Sequence, residues 1–159
     1  KMASNLKNLS DHSNKNITDM SSKKIAIVVS EWNEEVTESL FQGAMETIMQ
    51  HGLKKDNITR KNVPGSFELT LGGQWMAEKE GIDAVICWGC VIQGETRHFD
   101  FICDAVANGI TNVSIKYNKP VIFGVLTTEN QKQALDRSGG KHGNKGDEAA
   151  ITAIKMLGF

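Results

Sequence analysis

Ile25-Ala26-Ile27-Val28-Val29 is an unbroken β-branched and apolar run, and a segment of helical period follows it. An apolar run without polar alternation belongs to a strand covered on both faces, as strands of parallel sheets are. The pairing of run and helix recurs along the chain. Val36, Leu40, Phe41, Ala44, Met45, Ile48 and Met49 share one helix face, and Gly52 supplies the stop. Ile58 to Val63 is a more polar strand, which suits a sheet edge. Pro64-Gly65 ends it, and a helix is expected from Phe67 to Glu80, with Gly81 at its stop. Ala84-Val85-Ile86-Cys87-Trp88 is a third strand, and Ile102, Val106, Ile110 and Val113 mark the next helix. A turn at Tyr117-Asn118-Lys119-Pro120 leads into a fourth strand, Val121 to Leu126. Thr128 and Gln131 have capping-box spacing, which predicts a short helix from there to about Gly139-Gly140. Ala149, Ala150, Ala153, Ile154 and Leu157 line a last helix. The order β-α-β-α-β-α-β-α-α predicts an α/β fold, a parallel sheet between two helical layers.

The rest of the chain narrows the function classes. Residues 1–22 are rich in Ser, Asn and Lys and show no periodicity, so they read as a loosely attached arm ahead of one domain, 23–159. The arm has no apolar core of the kind a secretory signal needs. Lys plus Arg number 18 and Asp plus Glu 19, a balance that argues against a nucleic-acid or membrane coat. No apolar run approaches the roughly 20 residues that span a bilayer. Three cysteines read as reduced thiols, hence a cytoplasmic location.

Ligands of such sheets bind beyond the carboxyl ends of the strands. Those ends are Ser30 to Asn33, Pro64 to Glu68, Gly89 to His98 and Phe123 to Thr128. Cys87-Trp88-Gly89-Cys90 has C-x-x-C spacing, but three residues of extended chain separate the two Cα atoms by roughly 10 Å. A disulfide needs less than about 7 Å, so buried thiols are the better reading. Gly89 to His98 is too long for a simple βα turn. Thr96 or Arg97 sits where a helix would start, and helix-start N–H groups favour an anion. His98 would stand beside it, either as a proton carrier or as a plain helix-entry residue. Arg137 heads a basic, Gly-rich segment and is either a phosphate fork or a helix-end cation. That segment lacks the Gly-Lys-Ser/Thr ending of a nucleoside triphosphate loop. Trp32 could stack on a flat heterocycle or staple the following helix. Phe67 and Phe123 have the same two readings. Glu68 in a first helical turn needs no functional explanation.

Four separated motifs carry a more specific signal. Val63-Pro64-Gly65-Ser66-Phe67-Glu68 is one. Gly89-Cys90-Val91-Ile92-Gln93-Gly94-Glu95-Thr96-Arg97-His98-Phe99-Asp100 is the second. Val121 to Asn130 and Gly143-Asn144-Lys145-Gly146 complete the set. Together they resemble the lumazine synthase family, in unbroken order over about residues 24 to 157. The resemblance implies a flavodoxin-like, four-stranded parallel sheet of order 2-1-3-4. It implies condensation of 5-amino-6-(D-ribitylamino)uracil with 3,4-dihydroxy-2-butanone 4-phosphate, through a Schiff base and phosphate elimination, with no metal and no cofactor.

Residue by residue, the resemblance makes His98 the proton-transfer residue. Arg137 would bind phosphate, with Glu95 and Thr96 in the phosphate-contacting loop. Trp32 takes the place of the aromatic that stacks on the pyrimidine. Ser66, Phe67 and Glu68 match the segment that holds the ribityl chain, and Cys90, Val91 and Ile92 the stretch facing the ring. Phe123 matches a second aromatic, reaching the ligand from the adjacent subunit. Two positions depart from the family pattern: Gln93 where Arg is common, and Trp32 where Phe is commoner. The resemblance also implies a pentamer. The link Gly139 to Gly146 has the short form of the family's shell-forming members, so the resemblance further implies a closed icosahedral shell of 60 subunits, with a plain pentamer as the alternative. Riboflavin synthase is a candidate partner. The competing class is a non-catalytic flavin- or nucleotide-binding module, which would have no use for a histidine beside an anion site.

Overall fold

The computed structural model describes residues 18–159; residues 1–17, most of the segment read as an arm, lie outside them. Four parallel strands make the sheet, in the order β2-β1-β3-β4. They are β1 (Ile25–Ser30), β2 (Ile58–Val63), β3 (Ala84–Ile92) and β4 (Val121–Thr128). The two apolar runs β1 and β3 take the centre, and the polar run β2 takes an edge, as burial on two faces requires.

Successive residues of β1 feed opposite cores. Ile25, Ile27 and Val29 pack with Leu40, Ala44 and Ile48 of α1 (Glu34–Gln50) and Ala150, Ala153 and Ile154 of α5 (Lys145–Leu157). Ala26 and Val28 pack with Leu69 and Met76 of α2 (Leu69–Ala77) and Val106, Ile110 and Val113 of α3 (His98–Tyr117). Helices on both faces of this parallel sheet make the expected three-layer, flavodoxin-like architecture. Met20, just ahead of β1, is fully buried in the first of these cores, and its N–H donates to the His51 carbonyl.

Three local expectations are corrected. The helix expected over Phe67–Glu80 is a single 3₁₀ turn, Ser66–Glu68, followed by the shorter α2. Thr128 does not cap the next helix. It stays in β4, and Asn130 caps α4 (Gln131–Asp136), its Oδ1 accepting from the Gln133 N–H at 2.9 Å. Asn caps at least as well as Thr, and it stands immediately before the first helical residue. The Gly-rich link is a small hairpin, β5 (Ser138–Gly140) with β6 (Gly143–Asn144), whose Gly139 and Gly143 adopt φ of 115° and 77°.

The Gly143-Asn144-Lys145-Gly146 motif clamps α5 to α1. Asn144 Oδ1 accepts from the Gly146 N–H at 2.8 Å and its Nδ2 donates to the Ser39 carbonyl at 2.9 Å. A Cβ on Gly146 would stand 1.9 Å from the Leu40 carbonyl oxygen, so only glycine permits this approach.

Candidate functional site

A cleft of about 690 Å³ opens beyond the carboxyl ends of β1, β2 and β3. Trp32, Ser66, Phe67, Glu68, Cys90 and His98 are among its lining residues. Its size is that of a small-molecule site.

Each wall has a local cause. Pro64-Gly65 stops β2, and the chain turns through Ser66–Glu68. Trp32 is held by its N–H donating to the Pro64 carbonyl at 3.2 Å, while its side chain is 71% exposed at the cleft rim. A Cβ on Gly65 would touch both the Trp32 ring and the Glu68 carboxylate at 3.1 Å, so glycine leaves the slot between them. Glu68 Oε2 accepts from the Gly65 N–H at 3.0 Å, which fixes the turn. Ser66 is buried on the cleft floor, and its hydroxyl has no hydrogen-bond partner among the described residues. A buried donor of that kind is open to a polar ligand group.

β3 extends to Ile92, so Cys90, Val91 and Ile92 belong to a strand rather than a loop. Cys87 and Cys90 face opposite cores, three residues apart on an extended chain, and both thiols are free. Burial pushes the Cys90 thiol up to about 11 and the Cys87 thiol up to about 12. Both are therefore neutral near pH 7, and Cys90 is a wall of the cleft rather than a nucleophile.

His98 is the first residue of α3 and is exposed. Its backbone N–H donates to Thr96 Oγ1 at 3.4 Å, which satisfies the first N–H of the helix from outside it. Glu95 and Thr96 stand in the exposed loop between β3 and α3. That placement puts His98 on the cleft wall, while the loop residues between Ile92 and His98 are not among its lining residues.

Phe123 and Arg137 are elsewhere. They line a second hollow, about 590 Å³, along the edge strand β4, with Thr128, Lys145, Glu148 and Thr152. Phe123 is 42% exposed. Arg137 closes the end of α4, where its Nη1 donates to the Gln133 carbonyl at 3.0 Å. That is the helix-end reading of this arginine, and it occupies one of five guanidinium N–H groups. The cleft and the β4 hollow share no lining residue.

A family model described as 6,7-dimethyl-8-ribityllumazine synthase matches residues 22–159. The chain belongs to the 6,7-dimethyl-8-ribityllumazine synthase family. Among its relatives, a protein of that name from Cytophaga hutchinsonii is 67% identical over 156 residues, covering 98% of each chain. Proteins of the same name from Parabacteroides distasonis and Porphyromonas gingivalis are 51% and 50% identical over 158 residues. These cover 99% of this chain and 99% and 98% of the relatives.

The geometry gives contacts to residues that the sequence reading left without a role. Asn33 adopts a left-handed conformation (φ 59°), which Asn tolerates, and its Nδ2 donates to the Cys90 carbonyl at 2.8 Å across the cleft. An Asn at a strand end before a helix was the available signal. Lys145 and Glu148 pair at 2.9 Å beside Arg137. Their helical i,i+3 spacing was visible, but nothing in the sequence tied them to β4. Among the described residues, no three His, Cys, Asp or Glu side chains gather where they could hold a metal ion, and no helix is long and apolar enough to cross a membrane.

Proposed function

We propose that the chain condenses 5-amino-6-(D-ribitylamino)uracil with 3,4-dihydroxy-2-butanone 4-phosphate to 6,7-dimethyl-8-ribityllumazine. One phosphate and two waters leave, one water as the Schiff base forms and the other as the ribitylamino nitrogen closes the second ring on the remaining carbonyl, in the penultimate step of riboflavin biosynthesis. The observation that carries the site assignment is the cleft itself. It unites an exposed aromatic, a turn with an unpartnered buried hydroxyl and a histidine at a helix start.

In this reading Trp32 stacks on the pyrimidine, and Ser66, Phe67 and Glu68 hold the ribityl chain. Cys90, Val91 and Ile92 present the end of β3 to the ring. The pyrimidine amine attacks the butanone carbonyl, and loss of water leaves the Schiff base. His98 moves protons in that step and in the elimination that follows, the general acid–base role an imidazole is suited to. The N–H groups of the Glu95–Thr96 loop and the Arg137 guanidinium receive the phosphate. Holding two substrates in line supplies much of the remaining acceleration. No observation favours a binding module without catalysis.

The separation of the β4 hollow from the cleft supports a site shared between subunits. One chain brings His98 and Trp32, and its neighbour brings Phe123 and Arg137. Exposed Leu71 and Trp75 on α2, with Phe101 and Ile115 on α3, support burial of that face in an assembly. The assembly we propose is a pentamer, closed twelvefold into a 60-subunit shell, in the cytoplasm. The short β5–β6 hairpin supports the shell. Riboflavin synthase, as consumer of the product, is the proposed partner.

Mixing both substrates with the protein tests the reaction. Lumazine absorbance and released phosphate should appear together, well above the uncatalysed rate. Binding of the pyrimidine without any rate above background would overturn the assignment. Light scattering tests the shell, since a single pentamer-sized species would exclude it.

A further inference from the structure

The loop Gln93–Arg97 joins β3 to α3 and precedes His98. Its first residue is fixed at the main chain, the Gln93 N–H donating to the Thr128 carbonyl at the end of β4 at 2.8 Å. From that anchor the side chain folds back over the loop. Gln93 Nε2 donates to the Gly94 carbonyl at 2.9 Å and to the Thr96 carbonyl at 3.4 Å. Both partners are acceptors, so only the NH₂ end of the amide can serve, and the orientation of the side chain is decided by chemistry. At the far end of the loop the Thr96 hydroxyl accepts the His98 N–H. The N–H groups of Gly94, Glu95, Thr96 and Arg97 find no acceptor among the described residues. One side of the loop is thus satisfied internally through its carbonyls, while a run of donors is left over.

We propose that Gln93 is a positioning residue: by engaging the Gly94 and Thr96 carbonyls it pre-sets the loop whose free N–H groups receive the phosphate ester. This rests on the function proposed above and adds a residue to it. Gln93 reaches the ligand only through the loop, so it acts on the phosphate-bearing substrate and not on the pyrimidine. It also accounts for a neutral residue at a position next to an anion. A side chain that donates N–H to carbonyls is what the loop needs, and it need not carry charge to do so. Two neutral hydrogen bonds at an exposed loop hold it by a modest amount, so their loss should weaken the phosphate substrate by about two- to tenfold.

Gln93→Met keeps the length and removes the donors; Gln93→Arg restores N–H donors on a longer stem. Steady-state kinetics for each substrate separately should show the Met variant with a raised KM for the butanone phosphate and an unchanged KM for the pyrimidine. The Arg variant should return toward wild type. Calorimetric titration with inorganic phosphate reads the same loop without turnover, and there the Met variant should bind correspondingly more weakly. Equal phosphate affinity in wild type and Met variant would overturn the proposal, and so would a KM rise shared by both substrates. A wild-type protein that binds phosphate but makes no lumazine would instead overturn the proposed reaction.

Discussion

Gly146→Ala separates two opposed expectations. Within a helix, replacing Gly by Ala should stabilise by up to about 1 kcal/mol. Here the new Cβ would meet the Leu40 carbonyl oxygen at 1.9 Å and the carbonyl carbon at 2.6 Å. A carbon–oxygen contact settles near about 3.3 Å, so α1 and α5 must part by about 1.4 Å. Overpacking of that size costs about 1–3 kcal/mol. The shift would also stretch the Asn144–Ser39 hydrogen bond, which is worth about 1 kcal/mol. Clash therefore outweighs propensity, and a net loss of about 1–3 kcal/mol is expected. Urea unfolding followed by far-UV circular dichroism measures it, at one protein concentration because the stability of an assembly depends on concentration. Gly81→Ala is the control: nothing lies within 4 Å of its Cβ, and it should leave the midpoint unchanged or slightly raised. If Gly146→Ala unfolds at or above the wild-type midpoint, the tight α1–α5 approach is wrong.

Three further outcomes follow from the site. Arg137→Ala should raise KM for the butanone phosphate far more than for the pyrimidine, because a forked cation faces a dianion; equal rises would contradict the assignment. His98→Ala should slow turnover by roughly 10²–10⁴-fold at unchanged stability; an unchanged rate would remove His98 as the proton carrier. Alkylation of Cys90, read by mass spectrometry of its peptide, should still be rising about tenfold per pH unit from pH 8 to pH 10. Thiolate is the reacting form and burial holds this thiol up at about 11; a plateau near pH 9 would mean an exposed thiol.

Much of the fold was legible because the strands announce themselves. β1 and β3 are unbroken apolar runs, and burial on both faces leaves no other place for them than the sheet centre. The edge position of β2 followed from its polarity. What escaped was decided by single side chains. Asn130 outcompeted Thr128 as a cap. β3 ran on to Ile92 because its last residues pair with Thr127 and Thr128. The hairpin at Ser138–Asn144 rests on two glycines at positive φ, which composition alone could not order. At the site, the strand-end rule and the motifs located the cleft and its walls. The resemblance implied that Phe123 serves an adjacent subunit, but the placement of Arg137 away from His98 was not legible in the order of residues. It depends on β4 lying at the sheet edge, a tertiary fact. The contact of Asn33 escaped for a similar reason, since its partner is the Cys90 carbonyl of another strand.

In the function proposed above, the cleft and the β4 hollow are two half-sites that make one whole site between two copies. Co-assembly of His98→Ala with Arg137→Ala tests that most directly. Each variant alone should turn over slowly. When subunits are unfolded, mixed in equal amounts and refolded together, roughly a quarter of the interfaces combine an intact cleft with an intact neighbouring Arg137. Activity should recover to about that share of wild type. A mixture no more active than the two separate variants would contradict the shared site.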